Sequence, residues 1–247
     1  MRNALPPLIV AIVLVAGWQL LHVLAGADSI SGPVETVASL ARMMDTARFW
    51  LDVGETAQAF LWALLLSMAF GILLGVVLGL SRPAGDAVEP ILVTFYSLPK
   101  VTLYPLVLLA FGLGMSAKVA FGVMHGLVPI TLLTRNAISQ LKPVYLRTAK
   151  VMRLSPVQVA WRIVLPAIVP DLLAGIRIGL SLSLLGVLIG EMFASKRGLG
   201  FAAVNAMGLG DIKTILAIGI FLAVFAVAAN SGMLLLERTL RHKSAAR

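Results

Sequence analysis

Thr56-Ala-Gln-Ala-Phe-Leu-Trp-Ala-Leu-Leu-Leu-Ser-Met-Ala-Phe-Gly-Ile-Leu-Leu-Gly-Val-Val-Leu-Gly-Leu-Ser81 contains no charged side chain. A helix needs about 20 apolar residues to cross about 30 Å of hydrocarbon, so this run predicts a membrane span over about 56–80. Its glycines Gly71, Gly75 and Gly79 fall four apart, and small residues at that spacing let two helices approach closely in lipid. Gly122/Gly126, Gly175/Gly179 and Gly186/Gly190 repeat the spacing further along. Working outward, residues 3–27 and 214–236 are also uncharged, residues 90–117 are interrupted only by Lys100, and residues 172–190 only by Arg177. The reading is an all-α polytopic membrane protein, one domain over 1–247, with six spans at about 5–26, 56–80, 89–112, 117–137, 167–193 and 213–236. The first is read as a retained anchor, because its uncharged run exceeds the 7–15 residues of a signal-peptide core.

Composition agrees. Of 247 residues, 60% are hydrophobic and 13% charged, against about 45–50% and about 25% in soluble domains. Disorder is excluded by the apolar excess. A disulfide scaffold or Cys-ligated metal is excluded by the absence of cysteine. The net charge of +9 reads as loop cations rather than as a nucleic-acid interface. With the N-terminus inside, the inner loops hold 12 Lys and Arg and the outer ones, Lys118 included, hold 6. This bias places both termini in the cytoplasm.

No phosphate-binding G-x-x-x-x-G-K-[ST] loop occurs, so ATP hydrolysis by this chain alone is not expected. No clustered His, Asp, Glu or Ser constellation marks an enzyme, and His125 reads as a packing residue. Charges inside spans mark function by default. Lys100, about 15 Å into the third span at 1.5 Å per residue, either lines a water-filled path for an anion or bonds carbonyls freed by Pro99 and Pro105. Arg177 reads as an interfacial or inter-helix contact. Glu191 is expected to pair with Lys196 or Arg197. Between the first two spans, Val34, Val37, Ala38, Ala41 and Met44 form one apolar face, which predicts an amphipathic helix packed on the bundle or lying on the bilayer.

The loop over 135–166 carries six cations and no acid. Pro143 opens a short helix through about Met152. Ser155-Pro156-Val157-Gln158 predicts a second start, with Ser155 as N-cap, Pro156 at N1 and Gln158 completing a capping box. Val157, Ala160, Trp161 and Val164 would share one face. Such an elbow binds either anionic lipid or a partner protein.

The run Arg147-Thr-Ala-Lys-Val-Met-Arg-Leu-Ser-Pro-Val-Gln-Val-Ala-Trp-Arg-Ile-Val-Leu-Pro166 resembles the EAA signature of ABC importer permeases. Ala149, Ile163, Leu165 and Pro166 match it, while Arg147, Thr148 and Arg153 stand where the pattern has Glu, Ala and Gly. An Arg at 153 should avoid the positive φ open to Gly, so a slightly different turn is expected there. Gly71–Arg82, Ser97–Gly114, Gly175–Gly179, Gly190–Met192 and Arg197–Phe201 are similar to the nitrate/sulfonate/taurine branch in the same order. The resemblance covers about residues 30–240.

It implies a permease subunit in a bacterial inner membrane, paired with a second permease. A pair of ATP-binding subunits would carry ATP and Mg, leaving this chain without a cofactor, and a substrate-binding protein would deliver a small, anionic solute. Residues 143–166 would form the coupling region, with Ala149, Met152, Arg153, Leu154, Ser155 and Pro156 contacting the ATPase. Lys100, Tyr104 and Glu191 are the candidates for the pathway, and Lys196–Gly200 with Gly208–Asp211 would lie near the docking surface of the substrate-binding protein or the outer gate. Two alternatives stand beside this reading: a permease for a thiamine or pyrimidine precursor, and an ion-coupled secondary transporter.

Overall fold

The glycine stripes organise the packing. A computed structural model describes residues 5–26 and 29–245, and all regular structure among them is helical. The helices are α1 (Leu5–Ala25), α2 (Pro33–Met44), α3 (Ala47–Leu80), α4 (Arg82–Ser97), α5 (Tyr104–Phe111), α6 (Met115–Ser139), α7 (Pro143–Val151), α8 (Pro156–Val159), α9 (Leu165–Ala194), α10 (Leu199–Gly208) and α11 (Ile212–Ala245). A 3-10 turn, Lys100–Leu103, precedes α5, and a π turn, Ala160–Val164, joins α8 to α9. Arg2 and Arg247, two of the cations placed inside by the charge bias, lie outside the described residues.

The helices α3, α6 and α9 form the core. Gly71, Gly75 and Gly79 of α3 face Ile130, Thr134 and Ile138 of α6, and a Cβ on Gly75 would come within 2.5 Å of Thr134 Cβ. On its other side α6 meets α9, where Gly179 leaves room for Ile130 at 2.5 Å from its absent Cβ. Hydrocarbon supplies no hydrophobic drive between helices, so close van der Waals packing at small residues holds them. Phe49, Leu199 and Ile218 form a second cluster joining α3, α10 and α11, with Leu40 and Met43 of α2 against it.

Four segments among the described residues are long and apolar enough to cross a membrane: Ala47–Leu80, Met115–Ser139, Pro156–Phe193 and Ile212–Leu235. Helix α1 is apolar as well, with Ile9–Ala25 a shorter candidate. The expected third span is not one straight helix. Arg82–Ser97 and Lys100–Phe111 meet at 92°, because Leu98 and Pro99 are extended and proline has no N–H to carry the ladder across. Helix α3 starts nine residues before the uncharged run, capped by Thr46, whose hydroxyl accepts from the Phe49 N–H at 3.4 Å. Its first turns therefore contain Asp52 and Glu55, since charge ends a hydropathy run without ending a helix.

Helix α2 packs by a different face from the apolar one. Thr36 and Ser39 are buried while Val34 is 81% exposed and Val37 56%. Thr36 returns its hydroxyl to the Gly32 carbonyl at 2.9 Å, which satisfies it locally and lets it turn inward. His125 is buried with Nδ1 2.8 Å from the Phe121 carbonyl, a bond within its own helix that fits the packing role.

Candidate functional site

Two built regions stand out, at opposite ends of α9. The first is the elbow between α6 and α9. Helix α7 ends in a Schellman motif: the Leu154 N–H donates to the Ala149 carbonyl at 3.1 Å and the Arg153 N–H to the Lys150 carbonyl at 3.0 Å. Arg153 occupies the left-handed position with φ 50. The expectation that arginine would avoid positive φ is overturned. Two bonds at the helix end hold the turn against the strain of about 1–2 kcal/mol that a Cβ meets there.

The next residue, Ser155, forms the expected capping box. Its hydroxyl accepts from the Gln158 N–H at 3.3 Å, and Gln158 Oε1 accepts from the Ser155 N–H at 2.9 Å. Ala149 is buried at the base of the elbow. Val159, Ala160, Val164 and Ile168 pack with Val76, Ala137 and Ile138, which roots the elbow in α3 and α6. Of the expected apolar face, Val164 is buried and Ala160 half-buried. Val157 is 67% exposed and Trp161 69%, lining an apolar groove with Ile72 and Val76 of α3, while on another side of the elbow, towards Tyr145 and Arg162, Met152 is 62% exposed, and Val151 is 84% exposed. Arg147, Lys150, Arg153 and Arg162 are also exposed there. The elbow thus presents apolar side chains set among cations, the composition of an interaction surface.

The second region is a buried polar knot at the other end. Lys118 and Glu191 both have 0% side-chain exposure. The Lys118 ammonium donates to Glu55 Oε1 at 2.8 Å and to the Arg197 carbonyl at 3.3 Å, and lies 3.7 Å from Glu191 Oε1. The Thr56 hydroxyl donates to the Glu191 carboxylate at 2.9 Å and 3.0 Å. Three successive backbone N–H groups are then captured by side chains: Gly198 by Asp52 Oδ1 at 2.8 Å, Leu199 by Thr56 Oγ1 at 2.9 Å and Gly200 by Glu191 Oε2 at 2.9 Å. Buried charge is tolerated only when paired and hydrogen-bonded, and here α3, α6 and α9 each contribute. The expected pairing of Glu191 with Lys196 or Arg197 is corrected: Lys118 is its ion-pair partner. Lys118, Glu55, Thr56 and Asp52 were not singled out from the sequence. Their signal was the placement of Asp52, Glu55 and Thr56 on adjoining turns of one helix face.

The other pathway candidates sit elsewhere. Lys100 lies in the 3-10 turn at the bend, not within a continuous span. Its Nζ donates to the Tyr96 carbonyl at 3.0 Å and stands 5.2 Å from the Tyr96 ring centroid. That carbonyl lies at the end of α4, next to the break. The Tyr104 hydroxyl donates to the Phe193 carbonyl at 2.5 Å, and its ring stacks on Phe121 at 5.9 Å. Tyr104 therefore ties α5 to the end of α9, two residues beyond Glu191. Among the described residues no hydrogen bond or ion pair joins Lys100 to Tyr104 or Glu191. Near the elbow, Arg135 pairs with Asp86 at 2.7 Å and Glu89 at 2.8 Å, fastening α4 to α6.

Residues 70–242, well over half of the chain, match the family described as binding-protein-dependent transport system inner membrane component. The taurine transport system permease protein TauC of Escherichia coli is 28% identical, over 83% of this chain and 74% of its own length. The nitrate import permease protein NrtB of Synechococcus elongatus is 27% identical over 92% and 84%. The formylaminopyrimidine transport permease protein ThiX of Halalkalibacterium halodurans is 26% identical over 81% and 80%. A chain of the MetNI methionine ABC transporter, solved in inward-facing conformations, shares the fold with a TM-score of 0.69 at 18% identity, covering 77% of this chain and 96% of that one. The described helices, the small-residue core and these matches lead to one statement: the chain belongs to the binding-protein-dependent inner-membrane components of ABC transporters, a family of permeases and not of enzymes.

Proposed function

We propose that this ABC importer permease carries a small anionic solute of the nitrate, sulfonate or taurine kind and is driven through the elbow of residues 143–166. The observation that carries the coupling role is the exposed Val151 and Met152 with the exposed cations Arg147, Lys150, Arg153 and Arg162, held by two consecutive caps and rooted in the α3–α6–α9 core. A pair of ATP-binding subunits, holding ATP and Mg, would dock there from the cytoplasm, with Met152, Arg153, Leu154, Ser155 and Pro156 at the contact. The buried Ala149 would set the helix end behind them. Because the elbow is packed on Val76, Ala137 and Ile138, closure of the ATPase pair would move α3, α6 and α9 as a body. A second permease would complete the pathway, and a substrate-binding protein would load it from the far side. Both termini would then lie in the cytoplasm, the side that the charge bias favours. Similarity to the formylaminopyrimidine permease supports a second cargo reading, a pyrimidine precursor.

The test is mild-detergent purification of the tagged chain from its native membrane. A stoichiometric ATP-binding subunit is expected. Arg153→Glu with Ser155→Trp should release that subunit and abolish substrate-stimulated ATP turnover while the permease stays in the membrane. Arg153→Gly, which suits the left-handed turn, should retain the subunit. A double variant that keeps both the subunit and its turnover would refute the coupling role.

A further inference from the structure

Arg177 lies near the middle of α9. Leu165 is twelve residues before it and Ala194 seventeen after, about 18 Å and about 25 Å along the axis at 1.5 Å per residue. Its side chain is half-buried. Other buried cations have partners: Lys118 pairs with Glu55 and Glu191, Arg135 with Asp86 and Glu89, and Lys100 donates to the Tyr96 carbonyl. Among the described residues no hydrogen bond or ion pair reaches the Arg177 guanidinium. The acid nearest in sequence, Asp171, is six residues earlier, about 9 Å along the axis and a third of a turn away.

Packing determines where Arg177 looks. The side of α9 bearing Gly175, Gly179, Gly186 and Gly190 is covered by α6. The uncovered side carries Ile178 at 40% exposure, Ser181 and Leu185 at 48%. Arg177 borders that side, with Ser181 one turn further on and therefore its neighbour. Turned to lipid, an unpaired arginine at this depth is costly, and such residues characteristically face a water-filled cavity or a bundle interior.

Resting on the permease reading, we infer that Arg177 and Ser181 line the water-filled path of the assembled importer and hold an oxyanion in transit. The guanidinium is a rigid, permanently charged fork whose parallel N–H groups match two oxygens of a nitrate, sulfonate or carboxylate. The Ser181 hydroxyl donates to the Arg177 carbonyl at a long 3.4 Å and can rotate to give that proton to the oxyanion instead. Arg177 thus gives the path a preference for planar or tetrahedral oxyanions over neutral solutes.

The chain has no cysteine, so Ser181→Cys introduces a unique thiol into this subunit. The complex purified through the tagged chain is placed in lipid vesicles open to both faces and treated with a negatively charged sulfonatoethyl and a positively charged trimethylammonioethyl methanethiosulfonate. Both should react, and adding Arg177→Gln should lower the ratio of anionic to cationic rates about tenfold or more, the scale on which a local field concentrates a charged reactant. Arg177→Lys should keep most of the ratio, and millimolar nitrate or taurine should slow the anionic reagent only while Arg177 is present. A Ser181→Cys thiol silent to both reagents means lipid or a second copy covers the face, and overturns the inference. An unchanged ratio in the Arg177→Gln background overturns it as well. Copurification of the ATP-binding subunit is read separately, so failure of the permease reading is distinguishable.

Discussion

The polar knot depends on the missing side chain of Gly198, and that dependence is measurable. Gly198 has φ 112 and ψ 165, and a Cβ there would overlap the Glu191 carboxylate. This backbone region is essentially open to glycine alone and costs another residue about 1–3 kcal/mol. Displacing the carboxylate also releases the Gly200 N–H, a hydrogen bond to a charged group worth about 1.5–3 kcal/mol. Gly198→Ala should therefore cost about 4 kcal/mol in all, combining the two ranges. Gly210 is the internal control. It also has positive φ, at 67, but nothing lies within 4 Å of its would-be Cβ. Gly210→Ala should cost about 1 kcal/mol, the left-handed penalty alone. The difference of about 3 kcal/mol corresponds to about 6–12 °C in melting temperature for a chain of this size. Tryptophan fluorescence of the purified protein in detergent reads it, since the chain carries four tryptophans. Equal melting of the two variants would refute the close-approach argument and reduce Gly198 to an ordinary turn glycine.

Two further perturbations follow from the same geometry. Lys118→Met strands the fully buried Glu191 and should destabilise by about 3–5 kcal/mol; adding Glu191→Gln should recover part of that, and a thermal-melting double-mutant cycle that is additive would show that the pair is not coupled. At the start of α11, the Asp211 carboxylate accepts from the Thr214 hydroxyl at 2.6 Å and the Thr214 N–H at 3.1 Å, and these bonds, the hydroxyl first, hold its pKa below the usual value. Its stabilisation is present above the unfolded-state pKa of about 3.9 and is lost as pH falls through the lower folded-state value. Asp211→Ala should cost about 1 kcal/mol at neutral pH, with melting curves of the two proteins converging below the carboxylate range.

Much of the molecule was legible where the cause is local. The uncharged run over 56–81 announced α3, because backbone bonding in lipid leaves a helix as the economical way across. Ser155 and Gln158 announced a capping box, which needs only four consecutive residues. The glycine stripe of α3 announced a close neighbour, though not that α6 would be the one. Less legible were features that one residue's preference argues against. Arg153 resists positive φ, yet the bonds that the Leu154 and Arg153 N–H groups donate to the Ala149 and Lys150 carbonyls outweigh it. Val34 and Val37 marked a face for either the bundle or the bilayer, and α2 turns Thr36 and Ser39 to the bundle instead, where Thr36 satisfies its hydroxyl on the Gly32 carbonyl. Pro99 was visible as an interruption, but the 92° angle at it depends on how α4 and α5 each seat against α6.

By itself, then, the sequence determined the all-helical class, the long uncharged span of α3, the Ser155 capping box, the membrane setting and the basic elbow, all of which depend on contacts within a few residues or on transfer from water to lipid. Tertiary structure alone decided which charges meet. Lys118 finds Glu55 and Glu191 across 63 and 73 positions, and Asp52 reaches Gly198 across 146. Such pairs are worth forming only once three helices have closed around them and removed the competing water, so no local pattern encodes the choice. The same packing leaves Arg177, half-buried at the border of the uncovered side of α9, without an ion-pair partner among the described residues, a position that sequence spacing cannot distinguish from a buried contact.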